Sequence, residues 1–162
     1  MMQAEKCRTF LETSQCDVLI SSPLKRAFQT AEIINENLNL PIVTMKAFVE
    51  RSYGDAEGMT MAERSIAFVN DHVPNREDRA TLTKRIMNGI ERINAKYNGK
   101  KIILVAHGAV INTILAQMSK GKIGSGKTKL MNACISTIHL KDKQWAVENY
   151  NQISHLESEM DQ

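Results

Sequence analysis

Aromatic residues make up only 5% of this sequence, which argues against stacking platforms for nucleic-acid bases. A formal net charge of +3 is too mild to grip a polyphosphate backbone, so no nucleic-acid partner is expected. Cysteine is scarce and odd in number, at Cys7, Cys16 and Cys134. With no C-x-x-C pair and no His/Cys cluster, neither a disulfide framework nor a metal site is expected, and reduced thiols in a cytoplasmic protein are the default. No apolar run approaches the roughly 18 residues of a membrane span, and the first residues lack the apolar stretch of a signal peptide. Repeats and low-complexity tracts are absent. What remains is an ordinary globular composition, 43% hydrophobic and 24% charged over 162 residues. That is the size of a single domain, 1–162, with its own core. The polar tail, 156–162, is expected to fray.

One short stretch raises a sharp question. GKIGSGKT, residues 121–128, matches G-x-x-x-x-G-K-[ST], the phosphate-cradling P-loop. Such a loop works because it follows a strand and opens a helix, whose N-terminus is electropositive. Here the order is reversed. Ala109, Ile111, Ile114, Leu115 and Met118 upstream have helical spacing, while the stretch after Thr128 is rich in β-branched residues and alternates as a strand does. The stretch therefore reads as a solvated Lys/Gly loop, and nucleotide binding ranks last among the readings.

The remaining periodicities alternate between helix and strand. Helices are expected over 2–14, with Ala4, Cys7, Phe10 and Leu11 on one side, and over 22–38, with Ser22 as N-cap and Pro23 at the first helical position. Further helices follow over 60–69, opened by the Thr60/Glu63 capping box, then over 78–97 and 109–119. Strands are expected over 17–21, 41–45 and 101–106, and a hairpin over 131–141 and 145–150 turns at Asp142-Lys143. The stretch 101–106 is apolar after its first lysine and demands cover on both faces. The fold class is α/β, three-layered, with a mostly parallel sheet and helices on both faces.

In open α/β sheets ligands bind at the carboxyl ends of the strands. At that edge stand Arg26, in the first turn of a helix after SSP, and His107-Gly108, at the end of 101–106. A guanidinium beside a helix N-terminus suits a phosphoryl group, and Gly108 admits close backbone approach. The loop FVERSYGDAEG adds Glu50, Arg51 and Tyr53. Each feature alone is more often a surface arginine, a structural histidine or a solvated loop pair.

Taken in series, DVLISSPLKRAFQTAEII, FVERSYGDAEGMTMAER and KIILVAHGAV resemble the histidine phosphatase superfamily, the phosphoglycerate mutase-like family. The chain looks most similar to its bacterial broad-specificity phosphatase branch, and the likeness runs through LMNACISTIHLKDKQWAVENYNQISHL. The resemblance implies hydrolysis of small phosphomonoesters through a phosphohistidine, without metal or other cofactor. It implies that Arg26, His107 and Gly108 bind the phosphoryl group and that His107 and Glu50 are catalytic, Glu50 as the proton donor. Arg51 and Tyr53 would line the substrate entrance. The short interval from Glu50 to His107 favours a phosphatase over a mutase.

The family's nucleophile belongs to an Arg-His-Gly at the end of a first strand, and this sequence carries no such motif. Its histidines are His72, His107, His139 and His155, and only His107 precedes a glycine. The expectation is therefore a chain truncated at its N-terminus, through a late start or in fact, and missing its first strand. Its activity would be impaired; alternatively, it would be a pseudophosphatase that binds a phosphorylated ligand or a partner protein. Without that strand the sheet should be gapped or re-closed, or the chain should self-associate through the exposed edge of 101–106. The expected ligand is a small phosphomonoester or inorganic phosphate.

Overall fold

The computed structural model describes residues 1–157. Its core is built around β1 (Val18–Ser21), which is buried throughout. Successive side chains of a strand point to opposite faces, and β1 uses both. Val18 and Ile20 join a cluster with Phe48, Leu82, Ile86, Ile90, Val110 and Ile114 on one face, and Leu19 joins Cys7, Ala31, Ile34 and Ile103 on the other. The first face is covered by α4 (Arg79–Lys96) and α5 (Gly108–Met118), the second by α1 (Met2–Leu11) and α2 (Lys25–Asn35). This is the three-layer α/β arrangement that the alternating pattern requires.

The parallel sheet has three strands in the order β2-β1-β3, where β2 is Ile42–Thr44 and β3 is Ile102–Val105. Both neighbours run parallel to β1, with Leu19 opposite Ile42 and Ile103. A separate antiparallel hairpin follows, β4 (Ile135–Lys141) and β5 (Gln144–Gln152), with two register irregularities, between Ile135 and Thr137 and between Thr137 and Ile138. It turns at Asp142-Lys143, both at positive φ, the backbone of a two-residue type I′ turn. Two short α-helices, α3 (Met61–Ala67), which opens on the Thr60/Glu63 capping box, and α6 (Ser154–Glu157), and two 3₁₀ turns, Lys46–Phe48 and Gly54–Ala56, complete the elements among the described residues.

The sheet is gapped, one of the outcomes expected: among the described residues β3 pairs only with β1, and the hairpin does not join it. The stretch 101–106 packs on both faces, Ile102 and Leu104 against the α4/α5 cluster and Ile103 and Val105 against the α1/α2 cluster, but within β3 only Ile103 is buried, while Ile102, Leu104 and Val105 are half-buried. Other expectations are corrected. Helix α2 starts at Lys25 with Leu24 at the N-cap position; the Ser22 hydroxyl accepts the Leu24 N–H and also contacts His107. It ends at Asn35, where that residue's side chain pairs with the backbone N–H and C=O of Leu40 and closes the turn. Helix α1 stops at Leu11, and Phe10 lies outside its buried face, exposed and tilted against the His155 ring. The α4 stripe holds at Leu82, Ile86, Ile90 and Ile93, with Tyr97 only half-buried as the C-cap.

The Lys/Gly loop joins α5 to β4 and closes on itself, Lys127 donating its ammonium to the Gly121 carbonyl at 2.6 Å. No helix follows it to present an N-terminus, so the P-loop reading fails on structure as it did on context. Of the polar tail, Leu156 and Glu157 belong to α6, and 158–162 lie outside the described residues. No helix among the described residues is long and apolar enough to cross a membrane.

Candidate phosphate site

His107 is the last residue before α5, at the carboxyl end of β3, and is 6% exposed. Both of its ring nitrogens are engaged. Arg26 Nε donates to Nδ1 at 3.3 Å, and Nε2 lies 2.8 Å from the Ser22 hydroxyl. Since Nδ1 accepts, the neutral ring carries its proton on Nε2 and donates it to Ser22. Burial holds the imidazole pKa below its ordinary value; nearby Glu50 opposes that shift and Arg26 adds to it. Ser22 also accepts the backbone N–H of Leu24 at 3.3 Å, so one hydroxyl orients both the histidine and the entry into α2.

Arg26 is the second residue of α2 and is exposed apart from its contact with His107. Its guanidinium and the α5 N-terminus lie on the same sheet edge, because parallel β1 and β3 end level, Ser21 opposite Val105. Gly108 opens α5 and is exposed; a Cβ built on it meets nothing within 4 Å, so the space in front of that N-terminus is open. A helix N-terminus, a guanidinium and an imidazole around open space form an anion-binding arrangement.

Glu50 is half-buried in the loop after β2, and its carboxylate accepts the Arg51 backbone N–H at 2.9 Å. It faces the same cavity as Arg26, His107 and Gly108. Arg51 and Tyr53 are turned elsewhere. Arg51 and Arg64 both lie over the Tyr53 ring, at 5.7 and 5.6 Å from its centre, and Arg51 Nε donates to the Glu77 carbonyl. Neither lines the cavity that joins the other three. Burial raises the Tyr53 phenol above its ordinary pKa, and Glu50 reinforces the shift.

Two parts of the site have no counterpart in the sequence reading. Ser22 was expected only as a helix cap; besides accepting the Leu24 N–H it is the partner of His107. Arg85, on α4, donates to the carbonyls of Ala47, Val49 and Glu50 and pairs with Glu77, which fixes the loop that carries Glu50. The available signal was a cation three residues after Leu82, on the apolar stripe of α4. No group of three or more metal-ligating side chains occurs among the described residues.

The chain is 44% identical to a Bacillus subtilis (strain 168) protein described as "Uncharacterized phosphatase PhoE", over 95% of this chain and 80% of that one. It is 30% identical to a "Metal-independent phosphoserine phosphatase" of Arabidopsis thaliana, over 85% of this chain but only 62% of the relative's length. The solved structure of Bacillus stearothermophilus YhfR superposes with a TM-score of 0.85 at 22% identity, covering 95% of this chain and 83% of its own, which shows the fold is shared. The model of the histidine phosphatase superfamily (branch 1) matches residues 1–153, and the chain belongs to that family.

Proposed function

We propose that residues 1–162 carry the phosphate-gripping half of a small-molecule phosphomonoester phosphatase. In this reading Arg26, the His107 ring and the α5 N-terminus at Gly108 neutralise the phosphoryl oxygens, and Glu50 protonates the leaving oxygen. Transition states of this class spread charge over three equatorial oxygens, so pre-set donors stabilise them without reorganising. The observation that carries the proposal is that Arg26 contacts His107 at 3.3 Å and Glu50 lies near enough to act on the charge of its ring, the three coming from separate elements.

The nucleophile is the open place in this scheme. Of the four histidines, His107 and His139 line the cavity; His107 is the one in contact with Arg26, and both of its nitrogens are committed, one to Arg26 and one to Ser22. A ring that must break two contacts to attack is better suited to holding oxygens than to forming a phosphohistidine. Loss of a covalent nucleophile elsewhere costs on the order of a millionfold. These residues alone are therefore expected to bind phosphate and turn over weakly, as a pseudophosphatase would. The names and lengths of the relatives support a phosphatase reading for the longer form of the fold.

The test is hydrolysis of a generic aryl phosphate by three proteins: this chain, His107→Ala, and a version extended with a strand ending in Arg-His-Gly. Turnover by the extended version alone supports the proposal. If this chain turns over efficiently and His107→Ala abolishes it, then the claim that an absent histidine is indispensable is wrong, and His107 becomes the candidate nucleophile.

A further inference from the structure

Helix α5 ends far from the phosphate site, its rise placing Met118 about 15 Å from Gly108. There a cleft of about 660 Å³ lies between that end of the helix, the loop that follows it and β5. The volume is that of a small-molecule site. None of Arg26, Glu50, His107 and Gly108 lines the cleft, and neither does any residue of β3 or β4.

The cleft is preformed. Met118, Trp145 and Val147 give it an apolar lining and pack into the main core as well, and Ile123 adds to them. The loop wall is pinned: Gly121 N–H donates to the Ala116 carbonyl at 2.8 Å, and Ile123 N–H to the Ser119 hydroxyl at 2.9 Å. Two kinds of polar group in the lining are left unserved. Lys120 and Lys122 are exposed, and neither ammonium makes a hydrogen bond or ion pair among the described residues. Asn149 Oδ1 is withdrawn from solvent and accepts no hydrogen bond. A buried acceptor without a donor is costly, so a ligand that brings one supplies what the free protein lacks. Lysines after a helix C-terminus complement its dipole, but that accounts for neither the apolar lining nor the unserved Asn149.

The ligand follows from the lining. Trp145 and Tyr150 suit an aromatic body. The two ammonium groups, set against the Glu148 carboxylate that also lines the cleft, leave one net positive charge and suit a single negative one. We propose that this cleft is a second binding site, for a small aromatic monocarboxylate carrying one N–H or O–H donor. Its ring packs on Trp145 and Val147, its carboxylate meets Lys120 and Lys122, and its donor reaches Asn149 Oδ1. Nothing in this inference depends on phosphatase chemistry.

The experiment titrates the whole chain with indole-3-acetate, which has the ring, the N–H and the carboxylate, and follows the backbone amides by NMR. Two controls each lack one feature: indole-3-acetamide has no charge, and 1-naphthylacetate has no N–H. The expected result is saturable shifts at Lys122, Ile123, Val147 and Tyr150. The acetamide should bind about fivefold more weakly, the loss expected of an exposed ion pair. The naphthyl compound should lose about fivefold or more, as expected when a buried acceptor stays unpaired. Replacing both lysines, Lys120→Ala with Lys122→Ala, should weaken indole-3-acetate by the same factor as the acetamide control and leave the acetamide unchanged. Binding of either control as tight as that of indole-3-acetate overturns the proposal, since the cleft is then an apolar surface without the stated recognition. So does an absence of saturable shifts up to about 10 mM, or shifts confined to Ile102 and Leu104, which would put the ligand in the sheet gap instead.

Discussion

Arg85 grips Glu77 with two parallel hydrogen bonds, Nε to Oε1 at 2.7 Å and Nη2 to Oε2 at 3.0 Å. The same guanidinium donates to the carbonyls of Ala47 and Val49 at 2.7 and 3.0 Å, so one side chain ties α4 to the loop that ends in Glu50. Both partners are largely withdrawn from solvent, at 23% and 13% exposure. Arg85→Met would leave a carboxylate and several carbonyls without donors. The expected cost is about 2 kcal/mol, between the values for exposed and fully buried pairs, read as a lower urea midpoint at neutral pH.

The pair also fixes a pH dependence. The hydrogen bond from Arg85 holds the Glu77 carboxyl below its ordinary pKa, against the opposing effect of burial. A depressed folded-state pKa stabilises the fold above the unfolded value, about 4.3, and that stabilisation is lost as pH falls through the depressed value. The gap in stability between wild type and Arg85→Met should therefore narrow below about pH 4. A gap that stays constant down to pH 2.5 would show that Arg85 acts by packing alone.

His107 gives an independent readout of the site. Burial lowers its pKa, Arg26 lowers it further, and Glu50 raises it. Glu50→Gln should therefore shift the NMR titration of His107 downward, and Arg26→Ala should shift it upward. Because the folded-state pKa lies below the unfolded one, this residue favours folding above the unfolded value, about 6.5, and that contribution falls as pH drops from there toward the folded value. Shifts of the same sign in both variants would mean that Glu50 and Arg26 do not flank the ring as described.

The helices and strands were legible because their signals are local. The Thr60/Glu63 box, the Leu82-Ile86-Ile90-Ile93 stripe and the Asp142-Lys143 turn each sit where the spacing put them. The convergence of Arg26, Glu50 and His107 was legible through the order of three motifs. The Ser22 contact was not, since a serine before a proline reads equally well as a helix cap and only the β1/β3 register brings it to His107. Arg85 was hidden for a similar reason: it serves a loop 35 or more residues away in sequence.

Gly89 lies where α4 crosses the turn at Lys46–Phe48. A Cβ there would meet the Ala47 Cβ at 2.8 Å and the Phe48 ring at 2.9 Å. Gly89→Ala gains about 1 kcal/mol of helix propensity, but overpacking a core costs about 1–3 kcal/mol. Phe48 is fully buried and has little room to yield, so the clash should win. The expected outcome is a lower melting temperature and a changed His107 titration, because the displaced turn leads directly to Glu50. A more stable Gly89→Ala would show that α4 can move away at little cost.

The hairpin turn offers a change in the other direction. Asp142 and Lys143 hold φ of 51° and 62°, a conformation that costs non-glycine residues about 1–2 kcal/mol. Lys143 is exposed, so little packing is lost on replacing it. Lys143→Gly would relieve that strain and produce Asp-Gly, the pair favoured in type I′ turns. Greater freedom in the unfolded chain offsets about 0.4–1 kcal/mol of the relief. The expected net gain is about 0.5–1 kcal/mol by this balance, seen as a higher melting temperature. Lys143→Val should move the other way, because a β-branched residue tolerates positive φ least. If the glycine variant melts lower than wild type, the turn is not type I′ in solution, and the register of β4 on β5 would have to be drawn again.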